Sequence, residues 1–490
     1  MAASFHFEHS IPFSPESAAE TLRAIPALPG VFALHGPRVE GQPEAEPYLT
    51  RAADLRRRIT RILAPPDSQS KRLNLRTRVA RIDYTVTGSE FESTLTLYHA
   101  SAAIFGLAEA RRRLRLHTPF FLRFTAGNAY PRVYSTNHLS RRALAHTYGP
   151  FPSRAAADRY CDAVLDLFKL RRCTEDLAPY PEHPGCVYGE MNKCLAPCNQ
   201  ACTPEGAAAY AAESAAVEAF FATHGESLLT QLTAEREQAS AGLDFERAAQ
   251  LHSQFLRVKS AAALADPLVQ PIPQLRAVIV QAAANSLHSD AEPSASIFLL
   301  VQSGCITGPA RLSTFGVRAV KDQASVGSSL YAQPLMLQAV PLEVPSNRNA
   351  VILSGDATPS VASQSKDPDA VGITDSARSV LPPIPAAASS TTLNPELRAA
   401  NLIASLEQQP STAPDLATLS DHLSLLRRWY YRPEKQRSGE VFFPKEDATD
   451  KPAWPIRRIL NAAARISLGD PKPTAEAQPQ LPQTPVEPGG

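Results

Sequence analysis

Arg171-Arg-Cys-Thr-Glu-Asp-Leu-Ala-Pro-Tyr-Pro-Glu-His-Pro-Gly-Cys-Val-Tyr-Gly-Glu-Met-Asn-Lys-Cys-Leu-Ala-Pro-Cys-Asn-Gln-Ala-Cys-Thr203 holds five of the chain's seven cysteines, spaced C-x12-C-x7-C-x3-C-x3-C at Cys173, Cys186, Cys194, Cys198 and Cys202. Pro179, Pro181, Pro184 and Pro197 interrupt helix throughout it. A loop-rich stretch so poor in apolar residues builds no core of its own and needs a staple. Convergence of thiolates on one metal centre supplies it, and zinc and an iron-sulfur cluster both fit. Structural zinc sites favour two short Cys pairs, whereas here only Cys194 and Cys198 stand close together. Disulfides are the alternative, disfavoured because the chain shows no secretory context and cytosolic thiols stay reduced.

At 490 residues, 44% hydrophobic and 20% charged, the chain exceeds one core and predicts several modules. The net charge of +1 announces no global attraction to nucleic acid, so such a role must come from a local patch. Met1 to Ser10 lacks the apolar run of a signal peptide, and no stretch of 18 apolar residues occurs, which reads as a cytoplasmic protein with no membrane partner. The 44 prolines fall mostly outside segments with a packing period, as linkers and tails require.

Outward from the cysteines, the N-terminal side reads as short strands around residues 25–34, 47–49, 79–86, 120–124 and 132–134. Between them, a helix from Arg51 to Leu63 sets Leu55, Ile59, Ile62 and Leu63 on one face, and residues 89–116 form a long helical region. From Arg51 to Arg81 ten Lys/Arg stand against two Asp, and Arg111, Arg112, Arg113 and Arg115 add a second basic run. Arg56, Arg57, Arg61 and Arg112 are candidate contacts to backbone phosphate, against the plainer reading of a solvated helix face. On the C-terminal side, Glu226–Ser240 and Asp244–Val258 read as an αα-hairpin too small to stand alone, with Leu228, Leu229, Leu232 and Ala239 expected to face Phe245, Ala248, Ala249, Leu251 and Phe255. Strands follow near 275–280 and 294–301, with a turn at Ser303–Gly308; Cys161 and Cys305 read as small core residues. The run Arg427-Arg-Trp-Tyr-Tyr431 either holds nucleic acid or belongs to a small helical cap.

Pro29-Gly-Val-Phe32, Tyr48-Leu-Thr-Arg51, Tyr130-Pro131, Tyr148-Gly-Pro-Phe-Pro-Ser153 and the cysteine pattern, in this order, resemble the UvrC family of DNA-repair excinucleases over roughly the first 315 residues. The fold expected is α+β. The resemblance implies a small GIY-YIG α/β sheet domain over 20–135, a cluster-binding segment over 136–205, a helical region over 206–265 whose UVR motif covers 226–261, and a small β-containing segment over 270–345; composition and periodicity give a disordered linker over 346–393, C-terminal helices over 394–470 and a disordered tail over 471–490. It picks Cys173, Cys186, Cys194 and Cys198 as ligands, of a [4Fe-4S] cluster or, alternatively, zinc, leaving Cys202 spare. The Leu243-Asp-Phe-Glu-Arg-Ala-Ala249 core looks like the motif through which that family contacts the UvrB helicase, which makes Phe245, Glu246 and Ala249 partner-binding residues.

Carried over, the nuclease chemistry falls on Tyr48 as general base, Arg51 beside it and Arg58 on the next helix for the phosphate, with Mg or Mn as metal. The departures are Phe32 for the first-motif tyrosine, Thr50 for the second-motif glycine and Leu122 for an asparagine. The metal carboxylate falls at Leu97 or at Ala110, with Glu109 one place off, a slip that turns a helical side chain by about 100 degrees. Neither the second nuclease domain of that family nor its helix-hairpin-helix repeats are recognisable. Two functions follow as expectations: a DNA-binding repair protein that incises with UvrB, or a non-cutting paralogue that binds DNA and the UvrB-like partner as an accessory.

Overall fold

A computed structural model describes residues 5–38, 45–65, 73–284, 295–314, 394–408, 415–446 and 452–468. The linker at 346–393 with its Lys366-Asp-Pro-Asp369, and the tail at 471–490, lie outside the described residues. What is described is an α+β fold of three four-stranded sheets and a short two-stranded one, Lys445–Glu446 with Pro452–Ala453, with helices around them.

The first sheet is antiparallel in the order β1-β4-β2-β3, from β1 (His9–Pro12), β2 (Gly30–His35), β3 (Tyr48–Ala52) and β4 (Arg81–Val86). Its register sets Thr50 opposite Phe32 and Tyr48 opposite Leu34. Helices α1 (Ala18–Ala24) and α2 (Leu55–Ile62) enclose a core of Phe32, Leu34, Leu55, Ile59, Ile82 and Tyr84. Sequence reasoning began the second helix at Arg51, but β3 runs on to Ala52. The helix waits for Asp54, whose carboxylate accepts the Arg57 N–H at 2.8 Å as its N-cap. The helical region expected over 89–116 is two helices, α3 (Glu90–Phe105) and α4 (Leu107–Leu114), divided at Gly106, whose φ of +84° only glycine adopts cheaply.

A second sheet, β6-β5-β7-β8, comprises β5 (Phe120–Phe124), β6 (Val133–Thr136), β7 (Thr147–Phe151) and β8 (Gln270–Pro271). Helix α5 (Arg154–Leu167), α6 (Val187–Glu190) and α7 (Pro197–Gln200) precede the long α8 (Pro204–Ala222), and α9 (Glu226–Ala241) and α10 (Phe245–Ala262) form the expected hairpin. Phe124, Tyr148, Tyr160, Cys161, Phe220, Phe221, Leu232 and Leu251 share one core, so the hairpin is moored to the cysteine-bearing module.

The third sheet, β11-β10-β9-β12, joins segments far apart in sequence. A meander of β9 (Arg276–Ala282), β10 (Ala295–Gln302) and β11 (Cys305–Ser313) is extended by β12 (Glu440–Phe442), which pairs antiparallel with β9. Alternation along β9 decides what covers it. Val278 and Val280 meet α11 (Pro395–Glu407) and α13 (Ile456–Leu468) through Ile403, Leu406 and Ile459. Ala277 and Ile279 meet α12 (Leu416–Tyr430) through Leu419, Leu423 and Trp429, and the same α12 packs on Phe91, Leu95 and Tyr98 of α3. The C-terminal helices therefore belong to this sheet and also fasten it to the N-terminal module.

At that seam Gly88 lies so close to β9 that a Cβ there would come within 2.0 Å of the Ala282 carbonyl oxygen. Ser89 caps α3 and bonds the buried Gln281, while Glu92 accepts the Gly88 N–H at 2.6 Å. Burial, aided by the charge of Glu8 and opposed by the Gly88 N–H and Arg311, pushes the Glu92 carboxyl up to about 7. The folded chain thus keeps this proton where an unfolded glutamate, near about 4.3, gives it up. The stability it lends is complete below that value and is lost as pH rises through 7. Glu92→Gln, which retains an acceptor for Gly88, is expected to match wild type in thermal melts near pH 5 and to exceed it by about 2 kcal/mol at pH 8. A wild-type stability that does not fall across that range would mean that Glu92 is ionised throughout.

Candidate functional site

The cysteine segment is tied down at its entry. The Tyr210 hydroxyl, on α8 and buried, donates to the Pro131 carbonyl at 2.6 Å and accepts the Arg171 N–H at 3.1 Å, and the Lys169 N–H donates to Glu213. Leu195 N–H closes back on the Lys169 carbonyl at 3.0 Å, and Tyr180 N–H on that of Cys198 at 3.1 Å. Between these ties the chain exposes its few apolar side chains, Tyr180, Val187, Tyr188 and Met191, as a segment without a core must.

All seven cysteines are unpaired thiols. Cys194 and Cys198 are buried, Cys173 and Cys186 half-buried, and Cys202 exposed. Burial pushes the Cys194 thiol up to about 11 and raises Cys198, and in both the charges of Cys173 and Cys186 push the same way, so these four sulfurs lie within one another's field. Donors face the sulfurs: the Ala196 N–H reaches Cys194 Sγ at 3.3 Å, the backbone N–H groups of Cys198 and Asn199 favour the Cys198 thiolate, and Arg171 Nη1 stands 3.8 Å from Cys173 Sγ. Donors aimed at sulfur suit a ligated thiolate better than a thiol, which has little accepting power. Among the described residues, no three His, Cys, Asp or Glu side chains already stand in a metal cage. The donor set therefore fits a thiolate-bound centre in its chemistry.

The N-terminal residues are distributed differently. Tyr48 and Arg51, three apart on β3, point to opposite faces. Tyr48 packs on the α2 side, 6.3 Å from the Phe32 ring, and Arg58 rides half-buried on α2 itself. Arg51 turns to α3, where Nη1 donates to Glu90 Oε1 at 3.0 Å and Thr94 Oγ1 at 3.2 Å. Glu109 pairs with Arg112 at 2.6 Å and Arg113 at 2.7 Å, which hold its carboxyl down to about 2. Of the basic candidates, Arg56 donates to the Ile25 carbonyl at 2.6 Å, and Arg112 is taken by Glu109. Arg57 and Arg61 are exposed on α2. Sequence reasoning passed over Glu90 and Arg432, which meet here: Arg432 Nη1 and Nη2 fork onto Glu90 at 2.6 and 3.1 Å. No local motif marks a contact between residues 342 apart.

On the hairpin, Leu232, Leu251 and Val258 face the core, while Phe245 and Leu243 are 66% and 72% exposed and Glu246, Ala249 and Leu256 are exposed beside them. Phe245 and Ala249, expected to pack on the first helix, face outward instead. Asp244 caps α10 by accepting the Arg247 N–H at 3.0 Å, and that fixes where this face begins.

Comparison with known proteins agrees with this layout. Residues 120–220 match the family model described as UvrC/Cho excinuclease, middle domain, and residues 226–260 match the UvrB/uvrC motif. The chain is 27% identical over 247 residues to UvrABC system protein C of Idiomarina loihiensis, covering 49% of this chain and 37% of that protein. It is 28% identical over 244 residues to the Klebsiella pneumoniae protein of that name, with coverage of 49% and 37%. Against its Desulforudis audaxviator namesake it is 26% identical over 309 residues, covering 62% and 46%. The chain is UvrC-like across its middle domain and hairpin, and spans less than half the length of these relatives. No solved structure matches. Among the described residues, no helix is long and apolar enough to cross a membrane.

Tyr210→Phe deletes one hydroxyl and leaves both the Pro131 carbonyl and the Arg171 N–H without a partner inside the fold. We expect it to lower stability by about 1–3 kcal/mol in denaturant unfolding and to raise amide exchange at Arg171. Unchanged exchange there would show that the cysteine segment does not depend on this tie.

Proposed function

We propose that this protein is a DNA-binding component of nucleotide excision repair that docks on a UvrB-like helicase through α10 and acts as a non-cutting accessory. The observation that carries the reading is the outward face of Leu243, Phe245 and Ala249 on a hairpin whose opposite face is anchored in the body, within the stretch that matches the UvrB/uvrC motif. An exposed aromatic at the head of a capped helix is the kind of anchor that dominates binding energy when it enters a partner's groove.

The thiols of Cys173, Cys186, Cys194 and Cys198 would hold a [4Fe-4S] cluster, with zinc as the alternative, and the group would supply a structural clamp on a coreless segment. A thiolate centre of this kind suits a reducing, cytoplasmic compartment. Arg57 and Arg61, exposed on α2, would neutralise backbone phosphates without reading bases. What disfavours incision is the separation of the expected machinery. Tyr48 and Arg51 face opposite sides of their sheet, and Glu109 is bound to two arginines, so a Mg or Mn ion finds no free carboxylate anchor there. The incising alternative keeps only Tyr48 and Arg58 on a common side.

Four measurements test the reading. Protein purified without oxygen is expected to be brown, with four irons per chain; a colourless protein with one zinc would replace the cluster by zinc, and no metal at all would remove the centre. Phe245→Ala is expected to weaken capture by the UvrB-like helicase by about 30-fold or more, on the scale of an interface hot spot. Arg57→Ala with Arg61→Ala is expected to lower the salt slope of duplex binding by about 2. Plasmid nicking with Mg or Mn that is abolished by both Tyr48→Phe and Arg58→Ala would overturn the non-cutting assignment and leave the docking face in place.

A further inference from the structure

Two arginines from opposite ends of the chain meet at the first turn of α3. Arg51 comes from β3 of the first sheet, and Arg432 from the turn that ends α12. Trp429, buried one turn earlier, lies against Phe91 with ring centroids 5.1 Å apart and donates its Nε1–H to the Ser438 carbonyl at 2.9 Å, so the residues flanking Arg432 and Glu90 are held in place. Between the two guanidiniums sits a single carboxylate, Glu90. Arg432 grips it through both terminal nitrogens and Arg51 through one. Those contacts, Arg432 first, hold the carboxyl down to about 2, so it remains an anion at every working pH.

A forked guanidinium, a second guanidinium and the first turn of a 16-residue helix make up the donor set that binds a phosphodiester, since fork geometry fits carboxylate and phosphate alike. All three side chains are 36–48% exposed, so an oxyanion from solvent reaches the position that Glu90 fills. Glu90, Thr94 and Leu97 share one stripe of α3, at i, i+4 and i+7. The stripe that faces Arg51 therefore also carries Leu97, two turns further along, one of the two positions, with Ala110, at which the resemblance places a metal carboxylate.

We infer that Arg51 and Arg432 form a phosphate site for a DNA strand, with Glu90 as a built-in competitor that occupies it when no strand is bound. This inference rests on the DNA-binding reading above and adds to it a residue from the C-terminal segment and a self-limiting contact. Binding exchanges one anion for another. The exchange weakens DNA affinity uniformly across sequences, and it sharpens the salt dependence once the competitor is removed.

The test measures fluorescence anisotropy of a labelled duplex of about 20 base pairs with the full chain between about 50 and 200 mM salt. Glu90→Gln is expected to tighten binding about three- to tenfold at the low-salt end and to steepen the salt slope by about 1 to 2. Adding Arg432→Ala to Glu90→Gln is expected to remove that gain, with melting temperature and far-UV circular dichroism confirming that both variants fold. Glu90→Gln that melts lower and binds DNA no better than wild type would show a plain structural clamp and overturn the inference. So would a gain that survives the loss of Arg432. Inorganic phosphate that saturates Glu90→Gln below about 1 mM while DNA affinity stays at wild-type level would assign the pair to a free anion and overturn it as well. Wild-type and variant chains that both ignore DNA would instead overturn the DNA-binding reading itself, a result distinct from the other three.

Discussion

Burial of α12 is the constraint on which the described fold depends. Along Leu416–Tyr430, the eight consecutive residues from Leu419 to Leu426 are buried, and so is Trp429, which is the pattern of a helix enclosed on nearly every side rather than laid on a surface. Such a helix must satisfy its polar groups internally. Asp421, 1% exposed, accepts from Arg111 at 2.6 Å and from the Tyr98 hydroxyl at 3.1 Å. Desolvation pushes its carboxyl up and Arg111 pulls it back, so the pair is retained only while both partners are present. His422 takes the Ile306 N–H on Nδ1 at 3.1 Å, a role open only to the neutral ring, and burial, aided by the neighbouring His99, pushes it down to about 3. These bonds reach an element of the N-terminal module on one side and a strand of the third sheet on the other. Without α12, neither surface would have a partner.

The same helix explains the fate of its basic and aromatic end. Arg428 donates to the carbonyls of Leu114 and Arg115, the orphan acceptors at the C-terminus of α4, and Arg427 to that of Pro152. Tyr431 donates to the Pro150 carbonyl at 3.0 Å, and Trp429 lies in the core. A run of Arg, Trp and Tyr that satisfies the spacing for nucleic acid is here consumed by backbone acceptors. Arg432, one residue beyond, instead keeps an anionic partner within reach of solvent.

Periodicity made the local elements legible. The apolar stripe Leu55, Ile59, Ile62 marked α2, the short apolar and aromatic run Phe120–Phe124 marked β5, and the paired stripes around Gly242 marked the hairpin, because each element buries apolar side chains in its own pattern. The cysteine spacing likewise marked the segment that lacks a core. Contacts of high sequence separation were not legible. Nothing near Glu440 indicates that it begins an edge strand on β9, far earlier in the chain, and nothing near Glu90 indicates Arg432. The start of α2 was misplaced for a different reason: helix propensity ran back through Arg51, but the Asp54 side chain and the ladder with β2 overruled it.

The same division separates what packing fixes in the first sheet from what it leaves free. Residues that hold the first sheet together, Phe32 and Leu55 among them, are fixed by packing, and a tyrosine hydroxyl at Phe32 would be buried in that core without an evident partner. Charged groups such as Arg51, Arg58 and Glu90 lie on the sheet's faces and on the helices beside it, where packing constrains only one side. There, an exchange of one side chain for another need not disturb the core, and Glu90 holds two cationic partners, Arg51 and Arg432. A scaffold tied through α12 tolerates such exchanges at its surface. Exposed faces can therefore vary on a fold whose core is fixed, and this is the setting of the exposed faces of α2 and α10 and of the Arg51–Arg432 pair.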